Sequence, residues 1–284
     1  MAVYHIFYNP LAGNSTGEAE TRKLDRLLQG HTLHYYSLLE VDNLSAKLAS
    51  FPEEDRILLS GGDGTLNRFV NRLENPDQMR DIYYYASGSG NDFFADLGKK
   101  KGDEPILVNE YIRKLPVVTV NGKSYRFING VGYGIDGYCC EVGDSLREKS
   151  DKPINYTGIA IKGLLFHYKR MSATVTVDGE THHYRKVWLA PTMNGRLYGG
   201  GMIPTPDQKR LGEDRKLSTM IMYGTGKLHT LMVFPTIFKG EHVKHRKMVE
   251  VLTGKTITVE FDKPTALQID GETVRNVTKY TATL

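Results

Sequence analysis

The chain has 284 residues, 40% of them hydrophobic and 25% charged, with a formal net charge of +4. That length is enough for two compact domains with cores of their own, or for one large domain. The charge is too small to argue for nucleic-acid binding, and no run approaches the roughly 20 apolar residues that span a bilayer.

The opening stretch MAVYHIFYNP has no basic region, apolar core or cleavage site, so it reads as a first strand and not as a secretory signal. VYHIFY (3–8) is that strand. EAETRKLDRLLQG (18–30) spaces its leucines as a helix does and stops at a glycine. TLHYYSL (32–38) is a second strand, NLSAKLAS (43–50) a short helix, RILLS (56–60) a third strand and TLNRFVNRL (65–73) a helix. DIYYYAS (81–87) is a fourth strand, whose three tyrosines fit a buried position with polar tips. Strands alternating with helices predict a parallel sheet wound by right-handed crossovers.

The pattern changes near Leu115. PVVTVNGKSYRFI, ATVTVDGETHHYRKVWLA and TITVEFDKPTALQIDGETVRNVTKY each place alternating runs around a turn, at Asn121-Gly122, Asp178-Gly179 and Asp270-Gly271. Helical patterns occur at about 137–149, 153–168 and 226–238. The adjacent Cys139 and Cys140 make neither a disulfide framework nor a zinc site, and point to a reducing, cytoplasmic setting. The resulting expectation is an α/β domain with a parallel sheet over 1–115, then a β-rich, sandwich-like domain with inserted helices over 116–284. The last strand, 276–284, is left open to return to the first domain.

Three Gly-rich loops follow strands: YNPLAGNSTG (8–17), SGGDGTLN (60–67) and ASGSGNDFF (86–94). Parallel strands present their C-terminal ends on one side, so the loops share one crevice, and a strand–glycine turn–helix order suits phosphate. Asp63 stands out, because a carboxylate beside phosphate repels it unless a cation intervenes. Asp63 acting through Mg²⁺ and Asp63 capping a tight turn are both compatible with the spacing. Likewise Glu272 reads locally as an exposed residue of a hairpin turn.

YNPLAG, GGDGTLN and GSGND occur in the order and at about the spacing of the diacylglycerol-kinase catalytic domain, a family related to sphingosine kinases and more distantly to NAD kinases and phosphofructokinases. FINGVGYGIDG (127–137), NGRLYGGGM (194–202) and ALQIDGE (266–272) resemble its later segments, so the resemblance covers nearly the whole chain. It implies an NAD-kinase-like ATP-binding first domain and a lipid-binding second one. By that resemblance ATP and Mg²⁺ would be used, and γ-phosphate would pass to the hydroxyl of a diacylglycerol-like alcohol in the cleft between the domains. Asn9, Pro10 and Gly13 would contact ATP. Gly61, Gly62, Asp63, Gly64, Thr65 and Asn67 would hold its phosphates, with Asp63 essential, and Ser89, where the family has threonine, would contact nucleotide. Glu272 would be the general base. Asp214, matching the family's aspartate before its final strands, would hold a structural Mg²⁺ with main-chain carbonyls. Ser37 is a weak match to a ribose or base contact.

Three departures stand out. Arg215 replaces a glycine, the connection before Asp214 is about two residues longer, and the basic residue often found after N-D-F-A is absent. The resemblance implies a cytoplasmic protein in transient contact with the inner membrane surface, and leaves a homodimer open. An NAD-kinase-like activity and a non-catalytic lipid- or nucleotide-binding regulator are the alternatives. The basic stretch KGEHVKHRK (239–247), with His242 and His245, reads as a solvated face that could meet lipid headgroups. His167 reads as a satisfied structural histidine, and the apolar helix of 153–168 as core or as the wall of an acyl-chain cleft.

Overall fold

A computed structural model gives the structure and describes residues 1–147 and 156–284. It divides into two compact units, Met1–Leu115 and Pro116–Leu284. In the first, β1 (Val3–Tyr8), α1 (Ala12–Ser15), α2 (Gly17–Thr21), α3 (Leu24–Leu27) and β2 (Thr32–Ser37) come in turn. Then follow α4 (Leu44–Ala49), β3 (Arg56–Gly61), α5 (Asp63–Asn71), β4 (Ile82–Ala86), α6 (Asp92–Asp96), β5 (Ile106–Leu107) and α7 (Asn109–Ile112).

The sheet order is β2-β1-β3-β4-β5, parallel except for β5. β1 and β3 run almost wholly buried, as strands covered on both faces must. Tyr4, Ile6, Leu24, Leu58 and Tyr85 form a core on one face. The helix expected over 18–30 is instead the short α2 and α3. The Thr21 hydroxyl turns back to donate to the Gly17 carbonyl at 2.7 Å, a contact that bends helices, and the regular turn lapses at the next residues. α4 begins where its cap predicts, the Asn43 side chain accepting the Ala46 amide at 2.8 Å.

The second unit holds β6 (Val117–Val120), β7 (Lys123–Arg126), β8 (Gly130–Tyr133), α8 (Ile135–Arg147) and α9 (Tyr156–Lys162). Next come β9 (Met171–Val177), β10 (Glu180–Val187), β11 (Thr192–Met193) and β12 (Leu217–Met222). The unit closes with α10 (Lys227–Val233), β13 (Val249–Gly254), β14 (Thr256–Ile269) and β15 (Glu272–Thr283). The main path is β13-β12-β11-β8-β14-β15-β6-β7, with the β9–β10 hairpin branching from β14. Sheet residues such as Val118, Tyr133, Val175, Val259 and Tyr280 meet in one core, giving the sandwich-like packing.

All three turns form with both central residues at positive φ, for example Asp270 at 46° and Gly271 at 91°, the type I′ geometry that a two-residue hairpin favours. The last strand does not return to the first unit. β15 pairs with β14 and β6, because the Asp270-Gly271 turn folds it directly back along its predecessor. The helix expected over 226–238 ends as α at Val233 and continues as a 3₁₀ turn, Phe234–Lys239, because Pro235 supplies no backbone N–H. Of the helical stretches expected at 137–149 and 153–168, the parts within 148–155 lie outside the described residues. No helix among the described residues is long and apolar enough to cross a membrane.

Candidate functional site

In the first unit the strand order reverses between β1 and β3, and an open α/β sheet has its natural crevice at the C-terminal ends of such a pair. The first loop leaves β1 at Asn9 and the second leaves β3 at Gly62. Beneath them the hydroxyls of Thr21, Ser60 and Ser87 form a buried chain, at 2.7 and 2.9 Å, that ties α2 to the ends of β3 and β4. The Tyr84 hydroxyl donates to the Gly61 carbonyl at 3.0 Å. That contact was not legible from a run of three tyrosines.

The second and third loops are locked together. The Asp63 amide donates to the Gly90 carbonyl at 2.9 Å and the Ser87 amide to the Gly61 carbonyl at 3.0 Å. The Asp63 carboxylate receives the amides of Asp92 at 2.7 Å and Phe93 at 3.1 Å, capping α6 from another loop. Gly62 and Gly88 are glycines because the backbones touch. A Cβ on Gly62 would lie 2.5 Å from the Gly90 carbonyl oxygen, and one on Gly88 2.4 Å from the Gly62 Cα. The first loop reaches the third, since a Cβ on Gly13 would lie 3.6 Å from the Ser89 hydroxyl.

Thus Asn9, Pro10, Gly13, Gly61 to Thr65 and Ser89 gather at one end of the sheet. Asn67 lies one turn inside α5, buried, with its carbonyl and side-chain oxygens accepting from Asn71. Ser37 ends β2 at the same end of the sheet, in register with Tyr8, and lines a cleft of about 490 Å³ with Tyr36, Asp42 and Lys47.

Two observations bear on whether these loops suit a cation or phosphate. The two Asp63 oxygens each accept a main-chain amide, which holds the carboxylate in place at the loops. Asn91, one residue before the first of those amides, spends Nδ2 on the Gly88 carbonyl at 2.8 Å and leaves Oδ1 buried without a protein partner. The amides of Gly64 and Thr65, in the first turn of α5, have no acceptor within the helix. Such donors and acceptors fit a Mg²⁺–phosphate ligand.

In the second unit the three later motifs also converge. The Asp270 carboxylate accepts the amides of Ile128, Asn129 at 2.8 Å and Gly130 at 3.0 Å. Asn194 donates to the Ile128 carbonyl at 2.9 Å, and buried Arg210 donates to the same carbonyl and to the Asn129 side-chain oxygen. Arg210 stands outside the quoted motifs, and nothing in its local sequence singles it out. Gln268 donates to Asp136 at 3.1 Å and accepts the Gly271 amide at 2.6 Å, so it steadies the turn that presents Glu272. Gly132 makes room for this pair, since a Cβ there would lie 1.4 Å from an Asp136 oxygen. Burial pushes the Asp136 carboxyl up to about 6. Glu272 itself is exposed at the first residue of β15.

Asp214 lies exposed in a turn, beside a cleft of about 320 Å³ whose lining has two carboxylates, Asp207 and Asp214, against Lys209, Arg215 and Lys216. No group of three or more His, Cys, Asp or Glu able to hold a metal occurs among the described residues. The two histidines sit otherwise than expected. His242 is buried, its Nε2 bonded to the Pro204 carbonyl at 2.9 Å, and cannot meet headgroups. His167 is exposed instead of packed.

The comparisons agree with this geometry. Residues 3–120 match the model of the diacylglycerol kinase catalytic domain, and residues 129–282 match the YegS C-terminal NAD kinase beta sandwich-like domain. A Staphylococcus aureus protein named "Putative lipid kinase SAS0691" is 27% identical over 231 residues, 77% of this chain and 70% of its own. A "Diacylglycerol kinase" of Mycobacterium tuberculosis is 25% identical over 217 residues, 74% of this chain and 67% of its own. A crystal structure titled as a "putative diacylglycerol kinase" from Bacillus anthracis shares the fold, with a TM-score of 0.66 at 22% identity, over 99% of this chain and 91% of that one. The two matched models together span both units, and the chain belongs to the diacylglycerol kinase catalytic-domain family, with that family's sandwich-like second domain.

Proposed function

We propose that the protein transfers the γ-phosphate of ATP to the hydroxyl of a diacylglycerol-like lipid alcohol. The observation that carries the reading is the lock between the second and third loops, in which the Asp63 carboxylate joins two glycine-rich turns beside the sheet's reversal point. In this reading the first unit is the nucleotide-binding domain. Its loop amides and the first turn of α5 receive the phosphates, while Asn9, Pro10, Gly13 and Ser89 border the nucleotide. Mg²⁺, when bound at the loops, would neutralise charge between phosphate and Asp63. The second unit takes the lipid, and Glu272 accepts the proton of its hydroxyl as the oxygen attacks phosphorus. The steadied turn from Gln268 to Gly271 supports that role, because a general base must be held within hydrogen-bond reach of its proton.

The experiment is transfer of labelled γ-phosphate from Mg·ATP to a panel of dispersed lipids by the wild type, Asp63→Asn and Glu272→Gln. Labelled lipid from the wild type, with both variants depressed, supports the reading and names the lipid class. Label on NAD instead of any lipid would replace it with an NAD-kinase-like activity. ATP binding with no acceptor labelled would leave a regulator.

A further inference from the structure

The second unit carries an apolar face that the site leaves unused. α9 runs into a π-helical turn, Gly163–His167, and α10 into the 3₁₀ turn Phe234–Lys239. Their inward residues, among them Ala160, Val233, Phe234 and Ile237, share one core with Trp188. The two segments are tied at their edges. Lys227 Nζ donates to the Leu165 carbonyl at 2.6 Å, and Arg170 to the Thr225 carbonyl at 2.7 Å.

Their outward residues are large and bare. Leu228 is 75% exposed, Phe166 72% and Met232 70%, the highest values for large hydrophobics among the described residues after Met1. Ile161 and Phe238 are exposed as well. Leu228 and Met232, four apart on α10, share a helix face. Phe166 and Leu228 are the chain neighbours of the bonded pair Leu165 and Lys227, which puts all three side chains in one region. The segments 156–170 and 226–240 supply Lys162, Lys169, Arg170, Lys227 and Lys239 and contain no Asp or Glu.

We propose that this face docks the protein on an anionic phospholipid bilayer, with Phe166, Leu228 and Met232 entering the headgroup–acyl boundary and the lysines facing lipid phosphates. Bare apolar tips in a basic surround match such an interface on both counts. A second copy of the chain fits worse, because an isologous contact would set the same cations against each other. The inference deepens the lipid-kinase reading and rests on it for the reason to approach a membrane.

The test uses the full chain and sedimentation with phosphatidylcholine vesicles, with and without about one third phosphatidylglycerol. The expected result is binding that rises about tenfold or more with phosphatidylglycerol and falls with added salt. The triple variant Phe166→Ser, Leu228→Ser, Met232→Ser should bind at least about tenfold more weakly. It should still phosphorylate a short-chain diacylglycerol dispersed in water, and that retained turnover shows it is folded. Wild-type indifference to phosphatidylglycerol, which needs no variant, would overturn the proposal, as would a triple variant that binds like the wild type. A triple variant that changes only the oligomeric state would assign the face to a second copy. The two readings fail separately. Transfer to short-chain lipid without vesicle binding removes the docking face alone, and vesicle binding without transfer to any lipid removes the kinase reading alone.

Discussion

Asp63 and Asp270 do at residue scale what secondary structure does elsewhere, since each carboxylate collects backbone amides from another segment. Hydrogen bonds to a charged acceptor are worth roughly 1.5–3 kcal/mol each, so neither residue is a spectator to folding. Asp63→Ala therefore acts on the fold as well as on transfer. It should open the third loop by about 3 kcal/mol, seen as exchange of the Asp92 and Phe93 amides accelerated by about 10²-fold; unchanged protection would refute the clasp. Asp270 and Glu272, two residues apart, should separate cleanly. Asp270→Ala should cost the second unit about 2–4 kcal/mol in urea unfolding followed by its buried, sole tryptophan, Trp188. Glu272→Gln, at an exposed position, should leave that curve in place and slow turnover by roughly 10²–10⁴ if it is the base.

At the scale of elements, two strand–loop–helix units pack edge to edge through glycine backbones. Gly62→Ala and Gly88→Ala each drive a Cβ into main chain, which cannot swing aside as a side chain would. Each should lower stability by about 1–3 kcal/mol and weaken nucleotide binding, because the loops must part to admit the methyl group. A calorimetric melt unmoved by either change would mean that the loops are not in contact. In the second unit the same economy of space recurs, with Gly132 vacating the volume that Asp136 and Gln268 fill.

For the molecule as a whole, two buried groups of the second unit set opposing responses to pH. Burial raises Asp136 from 3.8 to about 6, so the folded chain holds that proton more tightly than the unfolded one. Its stabilisation is complete below pH 3.8 and is lost as pH rises to about 6, a change of about 3 kcal/mol. Its neighbours Gln268 and Tyr198 oppose the shift without cancelling it. His242 is held below 6.5 by burial, so its contribution is present above pH 6.5 and lost as pH falls. Asp136→Asn should therefore abolish the loss between about pH 4 and 6 and leave the histidine limb in place, read by Trp188 fluorescence in urea at each pH. An unchanged profile in that variant would show that the carboxyl is not desolvated.

The sequence by itself determined what rests on near neighbours along the chain. Alternation and helical spacing placed the strands, two-residue turns with Asn or Asp before Gly specified three hairpins, and motif order identified the family. These signals are local because hydrogen-bonding period and φ preference are properties of short segments. Only the tertiary structure decided which atoms meet. It turned Asp63 from a lone carboxylate into a clasp, brought Arg210 to a motif it does not adjoin and Gln268 to Asp136 of another motif, buried His242, exposed His167 and kept β15 in the second sheet. It also set Phe166, Leu228 and Met232 on one bare face, although in sequence they look like core. A side chain's partner depends on contacts across dozens of residues, and the period of its own segment carries no record of them.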